Sequence, residues 1–108
     1  MNCLRQDLIK QLSHKLFAYN DIYSPIFETN SVIAYEDASI VVCGYLYIEG
    51  DEEDYYSVNL TTYYEDELGF ITEAEIIYDT GEVNCYYYFI HTTSKLMTNR
   101  EYRNDRRS

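Results

Sequence analysis

The side chains with the best claim to chemistry are two histidines, three cysteines and nineteen carboxylates. A nucleophilic Cys or Ser needs a histidine within reach, and a structural zinc site needs closely spaced Cys or His pairs. Cys3, Cys43 and Cys85 form no such pair. Cys43 and Cys85 fall in β-rich stretches, where strand alternation sends them to opposite faces as small apolar residues. His14 belongs to the polar side of a helix and His91 to the end of a strand, both ordinary solvated positions. Gly44, Gly50, Gly69 and Gly81 are isolated, so no loop cradles a phosphate, and no GxSxG or HExxH pattern occurs. The run Gly50-Asp51-Glu52-Glu53-Asp54 lacks the spacing and terminal Glu of a calcium loop. Carboxylate pairs are so plentiful that none stands out as an acid–base couple. These residues predict no enzyme, no cofactor and no metal.

Charge is the informative feature. No Lys or Arg occurs between Leu16 and Ser94, where 16 Asp and Glu accumulate. Arg5, Lys10 and Lys15 precede this span. Lys95, Arg100, Arg103, Arg106 and Arg107 follow it, and the net charge is −11. Such a body repels phosphates, so direct nucleic-acid binding is disfavoured. It attracts basic protein surfaces, because opposite potentials steer encounter. Carboxylates two apart on a strand, such as Glu73 and Glu75, lie roughly 6.7 Å apart along it. That resembles the spacing of successive phosphates, which makes mimicry of nucleic acid a specific form of the expectation. The plainer reading of the same charge is solubility.

Tyrosine is the second feature, at 14 residues beside 4 Phe and no Trp. Its ring gives rigid contact area, its hydroxyl gives adaptable hydrogen bonds, and against cations it adds cation–π attraction. High strand propensity explains many of these rings equally well. The expected partner-binding tyrosines are Tyr45, Tyr47, Tyr55, Tyr63, Tyr86 and Tyr88. The carboxylates expected beside them are Glu49, Asp51, Glu52, Glu53, Asp54, Glu73 and Glu75.

The elements that must position these residues are legible in outline. Leu4, Leu8, Leu12 and Leu16 recur every fourth residue, widened by Ile9 and Phe17, and predict an amphipathic helix. Asn2 is a candidate cap, Asn20-Asp21 a candidate end, and Pro25 blocks continuation. Strands are predicted near Ser31–Glu36, Ser39–Glu49, Tyr55–Glu65, Phe70–Tyr78 and Val83–His91. Gly50 to Asp54 reads as a hairpin loop, Asp79-Thr80-Gly81 as a three-residue hairpin with Gly81 left-handed, and Glu65–Gly69 as the least defined connection. The expected fold is α+β: an N-terminal amphipathic helix on an antiparallel meander of about five strands.

Alternation puts Ile40, Val42, Leu46, Ile48, Val58, Leu60, Phe70, Ala74 and Ile76 under the helix, with Val83, Cys85, Tyr87 and Phe89. Tyr45, Tyr47, Glu49, Tyr55, Asn59, Thr61, Tyr63, Glu73, Glu75, Asn84, Tyr86 and Tyr88 would face outward, and a bulge, for which Gly44 is the candidate, would flip part of the set. Residues 1–98 read as one domain and 99–108 as a mobile basic tail. The odd cysteine count and the absence of a long apolar run predict reduced thiols, a cytoplasmic location and no membrane.

Small acidic composition of this kind is similar to that of phage and mobile-element proteins that block restriction or CRISPR machinery; no residue pattern adds to the likeness. The leading expectation is a non-enzymatic interaction protein or inhibitor for a basic site. The alternative is a self-associating module in which two tyrosine faces or sheet edges form a homodimer. A nucleotide stacked on Tyr86 or Tyr88 ranks lower, since the negative field opposes phosphates.

Overall fold

A computed structural model describes the backbone of residues 2–17, 24–90 and 95–107, with the side chains of 6–17, 24–90 and 95–103. His91, the Asn20-Asp21 helix end and the side chains of Cys3, Leu4, Arg5, Arg106 and Arg107 lie outside the described residues. Helix α1 (Asn2–Phe17) is followed by β1 (Pro25–Ala34), β2 (Ile40–Ile48), β3 (Asp51–Glu65), β4 (Gly69–Ile77), β5 (Val83–Phe89), β6 (Leu96–Thr98) and α2 (Asn99–Arg107). The strands lie side by side in chain order, each antiparallel to the next. The α+β meander is as expected, with six strands where about five were predicted. The extra one, Leu96–Thr98, is too short to show alternation. The first strand also begins at Pro25 rather than Ser31. Proline is tolerated there because the first residue of an edge strand owes the ladder no N–H.

The helix stripe buries Leu8, Ile9 and Leu12 against Leu46, Val58, Leu60, Ala74, Ile76 and Tyr88. Leu12 is fully buried; truncating such a leucine to alanine typically costs about 2–5 kcal/mol. Polar contacts fix the helix direction. The Tyr88 hydroxyl donates to Asp7 Oδ2 at 2.7 Å, Gln11 Nε2 donates to the same oxygen at 3.1 Å, and Leu96 N donates to Gln11 Oε1 at 2.7 Å. Ser13 is buried as well, its hydroxyl donating to the Ile9 carbonyl at 2.8 Å.

The turns follow local chemistry. Tyr78 N donates to Glu82 O at 2.9 Å around Asp79-Thr80-Gly81, and Gly81 takes φ 89°, as the sequence predicts. The β1–β2 turn instead puts Ala38 at φ 70°, a left-handed position that a side chain disfavours. The Gly50–Asp54 loop is a correction. Asp51 already pairs with Ile48 around a Glu49-Gly50 turn, and Glu52, Glu53 and Asp54 bulge out before Tyr55 pairs with Tyr47. The bulge lets charged residues belong to a strand without occupying the ladder.

The expected faces hold for β2, β3 and β4, and are reversed for β5. Register places Val42, Leu60, Ala74 and Tyr86 in one row beneath α1. Asn84, Tyr86 and Tyr88 therefore share the α1 face, and Val83, Cys85, Tyr87 and Phe89 share the opposite one. Alternation misleads here because α2 gives the second face a core of its own, so β5 is apolar on both sides. Cys43 and Cys85 also share that second face, in one row with Asn59 and Glu75 between them. Three strand spacings separate them, about 14 Å.

Candidate functional site

Residues 99–107, read from the sequence as a tail, form a capped helix on the outer face. Thr98 N donates to Glu101 Oε1 at 3.1 Å, while Glu101 N donates to Thr98 Oγ1 at 3.2 Å. This reciprocal pair is a capping box, and the Thr98 contacts hold the Glu101 carboxyl below its usual range. The helix docks through Tyr102, which is 7% exposed and stacks on Tyr87 with centroids 4.3 Å apart. Ile71 and Phe89 complete this small core, flanked by Tyr63, Leu68 and Met97. Burial, then the neighbouring Tyr102 hydroxyl, pushes the Tyr63 phenol far above its ordinary value. Tyr63 thus serves α2 rather than an open patch.

The middle of the outer face is a polar lane. Asn59 Nδ2 donates to Glu75 Oε1 at 3.1 Å. Burial, with the Glu73 and Glu75 carboxylates alongside, pushes the Cys85 thiol up, which makes it a poor nucleophile. Glu73 and Glu75 are half-buried among these neighbours.

At the far corner from α2 the face opens into a cavity of about 290 Å³ lined by Glu28, Tyr45, Tyr47, Glu52 and Tyr55. Cross-strand pairing builds it: Glu28 stands opposite Tyr45, and Tyr47 opposite Tyr55. The Tyr45 and Tyr55 rings meet edge to face, with centroids 5.2 Å apart and planes at 86°. Tyr47 Oη donates a long hydrogen bond to Glu28 Oε1 at 3.5 Å. Burial and then the Glu28 and Glu52 charges push its phenol up. Glu52 reaches the cavity because the bulge carries it there.

The expected acidic set is divided between the face and the hairpin turns. Glu49, Asp51, Glu53 and Asp54 are exposed at the β2–β3 end, beside the exposed Asp79 and Glu82 of the next turn on that end. Tyr86 and Tyr88 leave the outer set altogether, since both face α1 and Tyr88 is 1% exposed. Tyr45, Tyr47, Tyr55 and Glu52 are the predicted residues that the structure brings together. Glu28 was missed, because the stretch before Ser31 carried no recognised strand. The α2 helix was missed although Thr98 and Glu101 carry the capping-box spacing.

Compared with known proteins, the chain matches no family model, no curated protein and no solved structure. Among the described residues, no group of His, Cys, Asp and Glu is arranged to hold a metal ion. No described helix is long and apolar enough to cross a membrane.

Proposed function

We propose that this protein is a non-enzymatic interaction protein whose acidic hairpin end and adjoining tyrosines engage a basic site on another protein. The observation that carries the reading is the 79-residue span from Leu16 to Ser94, which holds 16 carboxylates and no Lys or Arg. Its field attracts cationic surfaces and repels nucleic acid. Mimicry of nucleic acid, with the protein occupying a partner's phosphate-binding groove as an inhibitor, is the specific form of this reading. The exposed β2–β3 hairpin suits that role better than Glu73 and Glu75, whose neighbours already occupy them. A cytoplasmic setting belongs to the same proposal.

The test is capture from host extract with the wild type and with the D51N/E52Q/E53Q/D54N variant. A basic protein should be retained at low salt and lost at about 1 M, where the screening length falls to ~3 Å. The variant should retain markedly less of it. Capture indifferent to both salt and charge removal rejects the proposal.

Self-association is the second reading, and strand β1 favours it. This ten-residue edge exposes Val32 at 62% and Ile33 at 43%, a template for pairing with another copy. A register shift between Thr29 and Ser31 interrupts that edge. Light scattering separates the readings: salt should promote a like-charged dimer but weaken a complex with a basic partner.

A further inference from the structure

The cavity at Glu28, Tyr45, Tyr47, Glu52 and Tyr55 has a composition that narrows what it can hold. Its walls are three tyrosines, and its charge comes from two carboxylates. Ring faces carry negative potential, so the rings and carboxylates favour the same sign of ligand. The volume of about 290 Å³ falls at the small end of ligand sites, which run from ~300 to 1,000 Å³. It suits one head group rather than a whole cofactor. We propose that this cavity binds the guanidinium group of an arginine side chain.

The choice of guanidinium follows from the arrangement of acceptors. Glu28, hydrogen-bonded to the Tyr47 hydroxyl, and Glu52 line the cavity from separate elements, one on β1 and one on the β3 bulge. A cation that lies on a ring and also donates to two separate carboxylates must be flat and carry several donors. Guanidinium has five donors in a rigid plane and is weakly hydrated. A lysine ammonium is a strongly hydrated point charge, and this open cavity does not strip its water. A quaternary ammonium satisfies the rings but donates to neither carboxylate.

The assignment rests on the proposed engagement of basic proteins only for the source of the arginine. The cavity itself is tested without any partner. Ethylguanidinium chloride and tetramethylammonium chloride are titrated against sodium chloride at equal ionic strength, following tyrosine ring resonances by NMR. Ethylguanidinium should produce saturable shifts confined to Tyr45, Tyr47 and Tyr55, and should bind more tightly than tetramethylammonium. Y55L should weaken it about 2- to 5-fold, while Y55F, which keeps the ring face, should retain it. E28Q should weaken it independently of any ring change, with unchanged core resonances certifying the fold. Non-saturating shifts, shifts spread over all tyrosines, equal or tighter tetramethylammonium binding, or full affinity in both Y55L and E28Q would overturn the assignment. Failure here with salt-sensitive capture intact rejects the cavity alone; binding here with no basic partner captured rejects the broader reading.

Discussion

Gly44 shows how one atom constrains the open face. A Cβ at this position would overlap the Glu28 backbone carbonyl oxygen and approach the Phe27 ring at 2.8 Å. Glu28 is a wall of the cavity, so β1 can lie close enough to place it only while residue 44 has no side chain. G44A should therefore destabilise the protein by about 1–3 kcal/mol, the usual range for overpacking, read as a lowered denaturant midpoint. An unchanged midpoint would show that β1 yields easily. Gly44 was legible as unusual but was read as a bulge, and the register shift falls across from it, between Thr29 and Ser31. Tyr88 was less legible still. In sequence it is one of three consecutive tyrosines, and its burial goes with the apolar core under α1 and with the carboxylate of Asp7, 81 residues away. Local alternation carries no trace of such a contact.

At the scale of elements, α2 decides how much of the outer face remains open. Its anchor is Tyr102, whose ring also meets Phe89 at 5.5 Å. Losing a buried aromatic costs on the order of 3–5 kcal/mol, and here the loss falls on one short helix. Y102A should release α2 while α1 stays packed on its own cluster. Cleavage by trypsin after Arg100 and Arg103 should accelerate several-fold, with α1 resonances little changed; unchanged cleavage would mean that the helix has other anchors. The sequence made α1 and the middle strands readable because their α1-facing residues recur at regular spacing, although Ile71 of β4 also joins the α2 core. It failed at β5, which is covered on both faces, and at β6, which has three residues. Of the four cavity residues foreseen, the three tyrosines lie where strand alternation holds, and Glu52 lies in the bulge that was expected to be a loop. Glu28 lies in a stretch where the strand began earlier than expected.

At the scale of the whole molecule, the phenols set the upper pH limit. Burial raises Tyr63, with Tyr102 adding to it, and burial likewise raises Tyr56, Tyr86 and Tyr87. An unfolded phenol titrates near pH ~10. A raised folded value means the unfolded chain releases protons first, so this stability is full below about pH 10 and lost as pH rises above it. Each ionisation also deepens a net charge already at −11. Phenolate absorbance and circular dichroism followed together should show Tyr56, Tyr63, Tyr86 and Tyr87 ionising only as the fold is lost. Ionisation of every tyrosine before any loss of structure would contradict this account. The contacts that aim α1 have a different consequence, for biosynthesis. Its polar ties reach Tyr88 and Leu96, 81 and 85 residues further along. At translation rates of roughly 5–20 residues per second, those ties wait about 4–17 seconds. Hairpins can zip one after another as they leave the ribosome, while the polar ties that set the direction of the leucine stripe form only when the final strands emerge.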